Sequence, residues 1–318
     1  MTLFPGWTAD DIPDLTGRRA VVTGGSSGLG LETAVALAAH GAQVVLTARD
    51  TAKGDDAVRR VLARVPDASA ERGALDLADL ASVRAFADRV GDRPLDLLVN
   101  NAGVMAVPPR RTTDGFELQM GTNHLGHHAL TGLLLPALLA RPGARVVTVS
   151  SFLHWFGSLD FGDLMSERSY DSWRAYASSK LANVLFMREL DRRAREAGVD
   201  LVSVGAHPGY ARTNLVAAGP ATGRRLTGGV LRLGTALVGQ SARAGALPQL
   251  RAATDPEVCG GEYYGPRGPA EQRGLPKKVR CSANARDDRA AGLLWAESER
   301  LTGVGFDALD AAIATRRG

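Results

Sequence analysis

The chain has 318 residues, of which 45% are hydrophobic and 23% charged, enough apolar content for a substantial core. The net charge of +4 comes from scattered pairs such as Arg110-Arg111 and Lys277-Lys278, with no basic run interleaved with aromatics, so a nucleic-acid surface is not expected. Cys259 and Cys281 are too few and too far apart for a disulfide framework or a zinc site. The first residues lack a signal-peptide pattern and no stretch of about 18 apolar residues suggests a membrane span, so a cytoplasmic location is expected.

Strand-like and helix-like segments alternate from the start. Residues 20–23 form a short apolar run, and residues 31–40 have helical Ala/Leu spacing that ends at Gly41. Residues 43–47 are β-branched and apolar, residues 53–64 read as an amphipathic helix, and a short strand ends near Leu75. A helix over 79–90 and a strand over 95–99 follow, then a long helix over about 114–139. A strand over 145–150, a helix over about 173–197 and a strand over 201–204 complete the alternation. Strands separated by helices predict βαβ units. The expected fold is α/β, a doubly wound Rossmann arrangement with a mostly parallel seven-stranded sheet and helices on both faces. One domain is expected over 1–318, with an N-terminal arm at 1–16, a substrate lid at 210–248 and a C-terminal strand and tail at 260–318.

Between the first strand and helix stands Thr23-Gly24-Gly25-Ser26-Ser27-Gly28-Leu29-Gly30. Glycines in this context permit a tight turn and close backbone approach to a pyrophosphate, and the helix N-terminus favours anionic phosphate. The second strand ends Thr47-Ala48-Arg49. An acid there would bind the ribose 2′-hydroxyl of NAD. Ala48 takes that place and Arg49 suits a 2′-phosphate, so NADP(H) is the expected cofactor, with Asp50 pointing elsewhere.

Tyr176 and Lys180 stand four residues apart, on one face of a helix. An ammonium beside a phenol favours the phenolate and pulls its pKa toward the working range of an acid–base group. His124, His127 and His128 have a spacing that could suggest metal, but no carboxylate or cysteine pattern partners them, and none is expected.

In these motifs the chain resembles the short-chain dehydrogenases/reductases over nearly its whole length, most of all their retinol-dehydrogenase-like branch and its bacterial relatives. The resemblance implies cofactor contacts from Gly24, Ser26, Ser27, Gly28, Leu29 and Gly30, and from Asp76-Leu77 at the adenine. It implies a sheet-supporting role for Asn100-Asn101-Ala102-Gly103, with Asn101, Ala102 and Gly103 at the cofactor. It implies a catalytic tetrad of Asn123, Ser151, Tyr176 and Lys180, the last two also touching the cofactor. Pro208-Gly209, with Thr213 beyond, resembles the segment that holds the nicotinamide carboxamide.

The implied chemistry is NADPH-dependent interconversion of a carbonyl and an alcohol. Tyr176 would be the proton donor, Ser151 would orient the carbonyl, Lys180 would bind the nicotinamide ribose, and Asn123 would hold a relay water. His154, Trp155, Phe156 and Tyr210 are candidate walls for a small apolar substrate. Reduction of an enone or imine at the same site, and a non-catalytic NADP(H)-sensing regulator, are the alternatives. The resemblance also suggests a homodimer or homotetramer formed through the helices that carry Asn123 and Tyr176.

Overall fold

The computed structural model describes residues 6–91, 93–210 and 240–317. Part of the expected N-terminal arm, most of the 210–248 lid region and Thr213 therefore lie outside the described residues.

Eight strands form one sheet: β1 (Arg19–Val22), β2 (Gln43–Ala48), β3 (Ala70–Ala74), β4 (Leu97–Asn100), β5 (Ala144–Val149), β6 (Leu201–Ala206), β7 (Tyr263–Pro266) and β8 (Pro276–Lys278). Their spatial order is β3-β2-β1-β4-β5-β6-β7-β8. Pairing is parallel from β3 through β7. The central strands are apolar runs buried along their length, as a sheet covered by helices on both faces requires. The order reverses between β1 and β4, which places a crevice beyond the carboxyl ends of these two strands.

The expected seven strands become eight because β8 pairs antiparallel with β7. This edge strand has three residues, begins with a proline and exposes Lys277 and Lys278. Those are devices that protect a sheet edge from further pairing, and they also hide the strand from propensity reasoning.

Helices α1 (Gly28–Ala39), α2 (Thr51–Arg64), α3 (Leu80–Val90) and α7 (Ser172–Ala197) match the expected ones within a few residues. The long helix expected at 114–139 is instead segmented. It starts as α4 (Leu118–Met120), runs through a π turn at Gly121–Leu125, continues as α5 (Gly126–Leu133) and restarts as α6 (Leu135–Leu139). Glu117 caps its start by accepting the Gln119 and Met120 N–H groups. Pro136 sits at the beginning of α6, where its missing N–H costs least.

After β6 come α8 (Ala242–Thr254), α9 (Asp288–Thr302) and α10 (Asp307–Arg317). The C-terminal pair packs over α7 and α5. Trp295 stacks on Phe186 with centroids 5.8 Å apart and meets Phe306 at 4.3 Å. The Arg193 guanidinium lies 4.5 Å from the Trp295 ring centre. The His124 Nε2 and the Ser298 hydroxyl are 2.8 Å apart. The surface of α5 and α7 that carries His128 and Phe186 is thus covered by the chain's own C-terminal helices.

Trp295 is 2% exposed and joins these helices to the core. Replacing it with alanine is expected to cost about 3–5 kcal/mol of folding stability, measured by urea denaturation. A loss below about 1 kcal/mol would show that α9 is a loose appendage.

Candidate active site

The chain leaves β1 into the glycine turn. Gly24 has φ +65°, the left-handed region, and a Cβ on Gly30 would fall 2.4 Å from the Gly24 carbonyl oxygen. The sequence therefore closes this turn in a way that larger residues would prevent. The N-cap of α1, Ser27, makes no side-chain cap hydrogen bond, whereas Asp50, Asp79 and Asp171 cap α2, α3 and α7. The first N–H groups of α1 have no side-chain acceptor, as a phosphate-binding helix terminus requires.

A cavity of about 360 Å³ opens at the strand-order reversal. Its walls include Gly24, Ser26, Ser27, Gly28, Leu29 and Gly30 from the turn, Arg49 after β2, and Asp76 and Leu77 after β3. Asn101, Ala102 and Gly103 after β4, Pro208 after β6, and Tyr176 and Lys180 from α7 complete it. Gly209 follows Pro208 with φ +62°. Arg49 is exposed, while the Asp50 carboxylate turns into α2 and accepts the Lys53 N–H at 2.9 Å.

Tyr176 and Lys180 are both buried. The Lys180 ammonium donates to the Val149 carbonyl at 3.2 Å and lies 5.8 Å from the Tyr176 ring centre. Two serines end β5, and they part company. Ser150 turns inward and donates to the Lys180 carbonyl at 2.7 Å. Ser151 is half-buried, and its side chain lowers the pKa of the Tyr176 phenol.

Burial pushes the Tyr176 phenol up to about 12, against the opposing hydrogen bond from Ser151. Burial also draws the Lys180 ammonium down to about 8. The depression expected from Lys180 is not found in the protein alone: burial dominates the phenol, and the cause that opposes it is Ser151. Tyr176 is held protonated at neutral pH.

Asn123 lies inside the π turn and is fully buried. Its Oδ1 accepts the Val104 N–H at 2.8 Å, and its Nδ2 donates to the Val104 carbonyl at 2.9 Å and to the Ser179 hydroxyl at 2.9 Å. The side chain thereby braces the segment after β4 against α7.

Two residues that sequence reasoning did not place at the site hold it together. The Thr23 Oγ1 accepts the N–H groups of Asn101 at 2.8 Å and Ala102 at 2.9 Å. Its one proton has two acceptors within reach, His127 Nε2 at 2.8 Å and the Val99 carbonyl at 3.3 Å, and the shorter contact is to His127. His127 Nδ1 then donates to the Asn123 carbonyl at 2.9 Å. The signal available in the sequence was that His127 stands four residues after Asn123, one turn along the same helix face.

The other two histidines of that helix, His124 and His128, have ring centres 6.1 Å apart and both meet Phe186. His124 contacts Ser298, and His128 is packed among Phe186, Trp295 and Phe306. Among the described residues no group of three or more His, Cys, Asp or Glu is placed to hold a metal ion.

The four candidate substrate residues do not line the cavity. His154 is 1% exposed, with Nδ1 donating to the Ser151 carbonyl at 2.7 Å and Nε2 accepting the Ser282 N–H at 3.1 Å. It is a brace behind Ser151, not a wall. Trp155 and Phe156 point outward, 43% and 69% exposed. Tyr210 donates its backbone N–H to Gln272. A larger hollow of about 950 Å³ lies elsewhere, between α7 and the β7–β8 edge. Its carboxylates are ion-paired with arginine and lysine, as in Glu189–Arg192 and Glu262–Lys278; its Gly260-Gly261 turn leads into a strand, not a helix N-terminus, and its Tyr263 and Lys278 lie on two different strands. The glycine turn at the start of α1 and the Tyr176–Lys180 pair belong to the smaller cavity.

Residues 18–222 match the family described as short chain dehydrogenase. Human retinol dehydrogenase 12 is 38% identical over 308 residues, covering 96% of this chain and 92% of that protein. Mouse polyprenol dehydrogenase is 41% identical over 306 residues, covering 92% and 86%. The crystal structure of an uncharacterized protein from Mycobacterium Paratuberculosis superimposes with a TM-score of 0.80 at 44% identity, covering 95% of this chain and 99% of that one.

The buried histidines make stability depend on pH. Burial lowers His124 to about 3, and His127 and His154 to about 4. All three are neutral in the fold, while in the unfolded chain they titrate near 6.5. The stabilisation is complete above about pH 6.5 and is lost as pH falls toward 4, because the unfolded state then binds more protons. At pH 5.5 each is expected to contribute about 1.4 kcal/mol less than at neutral pH, seen as a falling urea midpoint. A midpoint unchanged between pH 7.5 and 5.5 would contradict this account.

Proposed function

Because the chain belongs to the short chain dehydrogenase family, a family of NAD(P)(H)-dependent oxidoreductases, we propose that it is an NADP(H)-dependent carbonyl reductase/alcohol dehydrogenase that uses Tyr176 as proton donor. One observation carries this reading: Tyr176 shares a single cavity with Lys180 and the glycine turn.

The residues present fit a nicotinamide dinucleotide. The uncapped start of α1 suits its pyrophosphate, Asp76-Leu77 its adenine, Lys180 its ribose hydroxyls, and Pro208-Gly209 its carboxamide. Arg49 stands exposed on the cavity wall, and its planar fork suits a 2′-phosphate, which favours NADP(H) over NAD(H). When bound, the reduced dinucleotide supplies the hydride that goes to the carbonyl carbon.

The chain's own groups manage the oxygen. Ser151 hydrogen-bonds the carbonyl oxygen and stabilises the charge that develops there. Tyr176, held protonated by burial, gives its proton to that oxygen. Lys180 supplies positive charge beside the phenolate that remains. The Asn123 carbonyl, which already accepts from His127, has a second lone pair for a relay water toward Lys180.

The names of the two relatives, retinol and polyprenol dehydrogenases, favour an apolar isoprenoid-like alcohol or aldehyde as substrate. Exposed Trp155 and Phe156, in the turn after Ser151, are suited to meet such a molecule outside the cavity. Enone or imine reduction would use the same donor groups. The intact set of Asn123, Ser151, Tyr176 and Lys180 speaks against a purely cofactor-sensing protein.

Three outcomes test the reading. NADPH consumption with retinaldehyde, longer isoprenoid aldehydes, ketones and enones should fall about 10²–10⁴-fold in kcat for Tyr176→Phe, with dinucleotide binding retained. Near-normal turnover in that variant would remove Tyr176 as donor. Arg49→Ala should raise the KM for NADPH about tenfold and leave that for NADH nearly unchanged. Tighter binding of NADH than NADPH by the unmodified protein would refute the cofactor preference. Finally, kcat/KM for reduction should decline as pH rises through about 8, where Lys180 of the free enzyme loses its charge. A profile flat from pH 7 to 9.5 would exclude a role for that charge.

A further inference from the structure

Where β6 ends, the chain turns through His207-Pro208-Gly209 at the rim of the cavity. The His207 side chain is fully buried and has two polar contacts. Its Nδ1 lies 3.2 Å from the Gly209 amide nitrogen, and its Nε2 lies 2.9 Å from the Glu271 carboxylate. A backbone N–H can only donate, so Nδ1 is the acceptor. The ring proton is then on Nε2, and Glu271 accepts it. Gly265 makes room for the ring, since a Cβ there would fall 2.1 Å from Nε2.

Glu271 reaches His207 from an unusual backbone. Ala270 and Glu271 have φ +50° and +56°, two consecutive non-glycine residues in the left-handed region. Such conformations persist only where the surroundings impose them, and they gather at functional sites. The same loop presses on the turn directly. The Gln272 and Glu271 carbonyl oxygens would lie 2.5 and 2.8 Å from a Cβ on Gly209, and the Tyr210 N–H donates to the Gln272 carbonyl at 2.9 Å. Gln240 closes the arrangement by donating to the Pro208 carbonyl at 2.7 Å and accepting the Gly274 N–H at 3.2 Å.

We propose that Glu271 is a positioning residue for the cofactor: its carboxylate fixes the His207 tautomer, and His207 in turn holds the Gly209 N–H and sets the Pro208-Gly209 turn against the cavity. This rests on the reading above, in which that turn receives the nicotinamide carboxamide. Glu271 touches neither substrate nor cofactor; it acts through His207. The sequence distance of 64 residues between the partners, and the lack of any motif around Glu271, kept the pair from view in the sequence.

The test uses the full chain labelled with ¹⁵N-histidine, with His207→Asn to assign the signal. Dinucleotide binding by the unmodified protein is measured first. The expected spectrum shows His207 protonated at Nε2 only, and Glu271→Ala loses that single-tautomer signature. In Glu271→Ala the KM for NADPH should rise at least fivefold while kcat stays within about twofold. Glu271→Gln, whose amide oxygen can accept the same proton, should restore both readouts. Absence of dinucleotide binding would overturn the functional reading and this proposal together. Binding by a protein whose His207 is protonated at Nδ1, alone or with Nε2, would overturn only the proposal, as would an unchanged KM in Glu271→Ala.

Discussion

A single hydroxyl, that of Thr23, sets the geometry on which the cavity depends. An alcohol oxygen has two acceptor lone pairs and one proton, and all three are committed here. The lone pairs take the N–H groups of Asn101 and Ala102, which fastens the turn after β4 to the end of β1. The proton goes to His127, which fastens α5 to both. Asn101 adds a reciprocal bond from its Nδ2 to the Thr23 carbonyl at 2.7 Å, and Gln249 of α8 reaches Asn101 and Thr33. Glycine turn, second turn and helix are therefore one rigid corner rather than three loops. A network of this kind is costly when incomplete and specifying when satisfied.

On that corner the site is organised by exclusion of water. Desolvation raises the phenol of Tyr176, lowers the ammonium of Lys180 and keeps His124, His127 and His154 neutral. The same cause therefore acts on acid, base and scaffold, and its sign in each case opposes charge. At neutral pH such a site presents neutral hydrogen-bonding groups around one remaining charge, that of the Lys180 ammonium. Its polar contacts then act in a medium that screens them weakly.

The parts of this arrangement that were legible in the sequence are those that local geometry dictates. A glycine turn between strand and helix, and a tyrosine and lysine one helical turn apart, are spacing constraints within a few residues. Their side chains do meet in one cavity. The pattern of buried strands was legible for the same reason, through continuous β-branched runs. What escaped is carried by pairs far apart in the chain: Thr23 with His127, 104 residues on, and His207 with Glu271. The π turn at Gly121–Leu125 escaped because its composition is that of any helix, and β8 because three residues with a leading proline carry almost no strand signal. His154 shows the remaining gap. Its place in the loop after Ser151 was right, but loop position does not reveal on which side of the backbone a ring lies, and this one faces inward to Ser282.

The cover that α9 and α10 form over α7 also bears on how the chain is made. Contacts from His124 to Ser298, and from Arg84 to the Thr302 carbonyl, span 174 and 218 residues of sequence. Synthesis proceeds from the N-terminus, and domains fold as their segments emerge. Every residue of the cavity is thus translated before the aromatic group of Trp295 and Phe306 that seals the back of α7. A ribosome-bound chain that has reached residue 287 carries every residue named on the cavity wall with Phe186 and His128 still unsealed. Long-range closure of this sort is slow compared with local helix formation. A chain in which α9 and α10 have not yet packed therefore exposes an apolar face, and exposed apolar surface of that kind is prone to association with its neighbours.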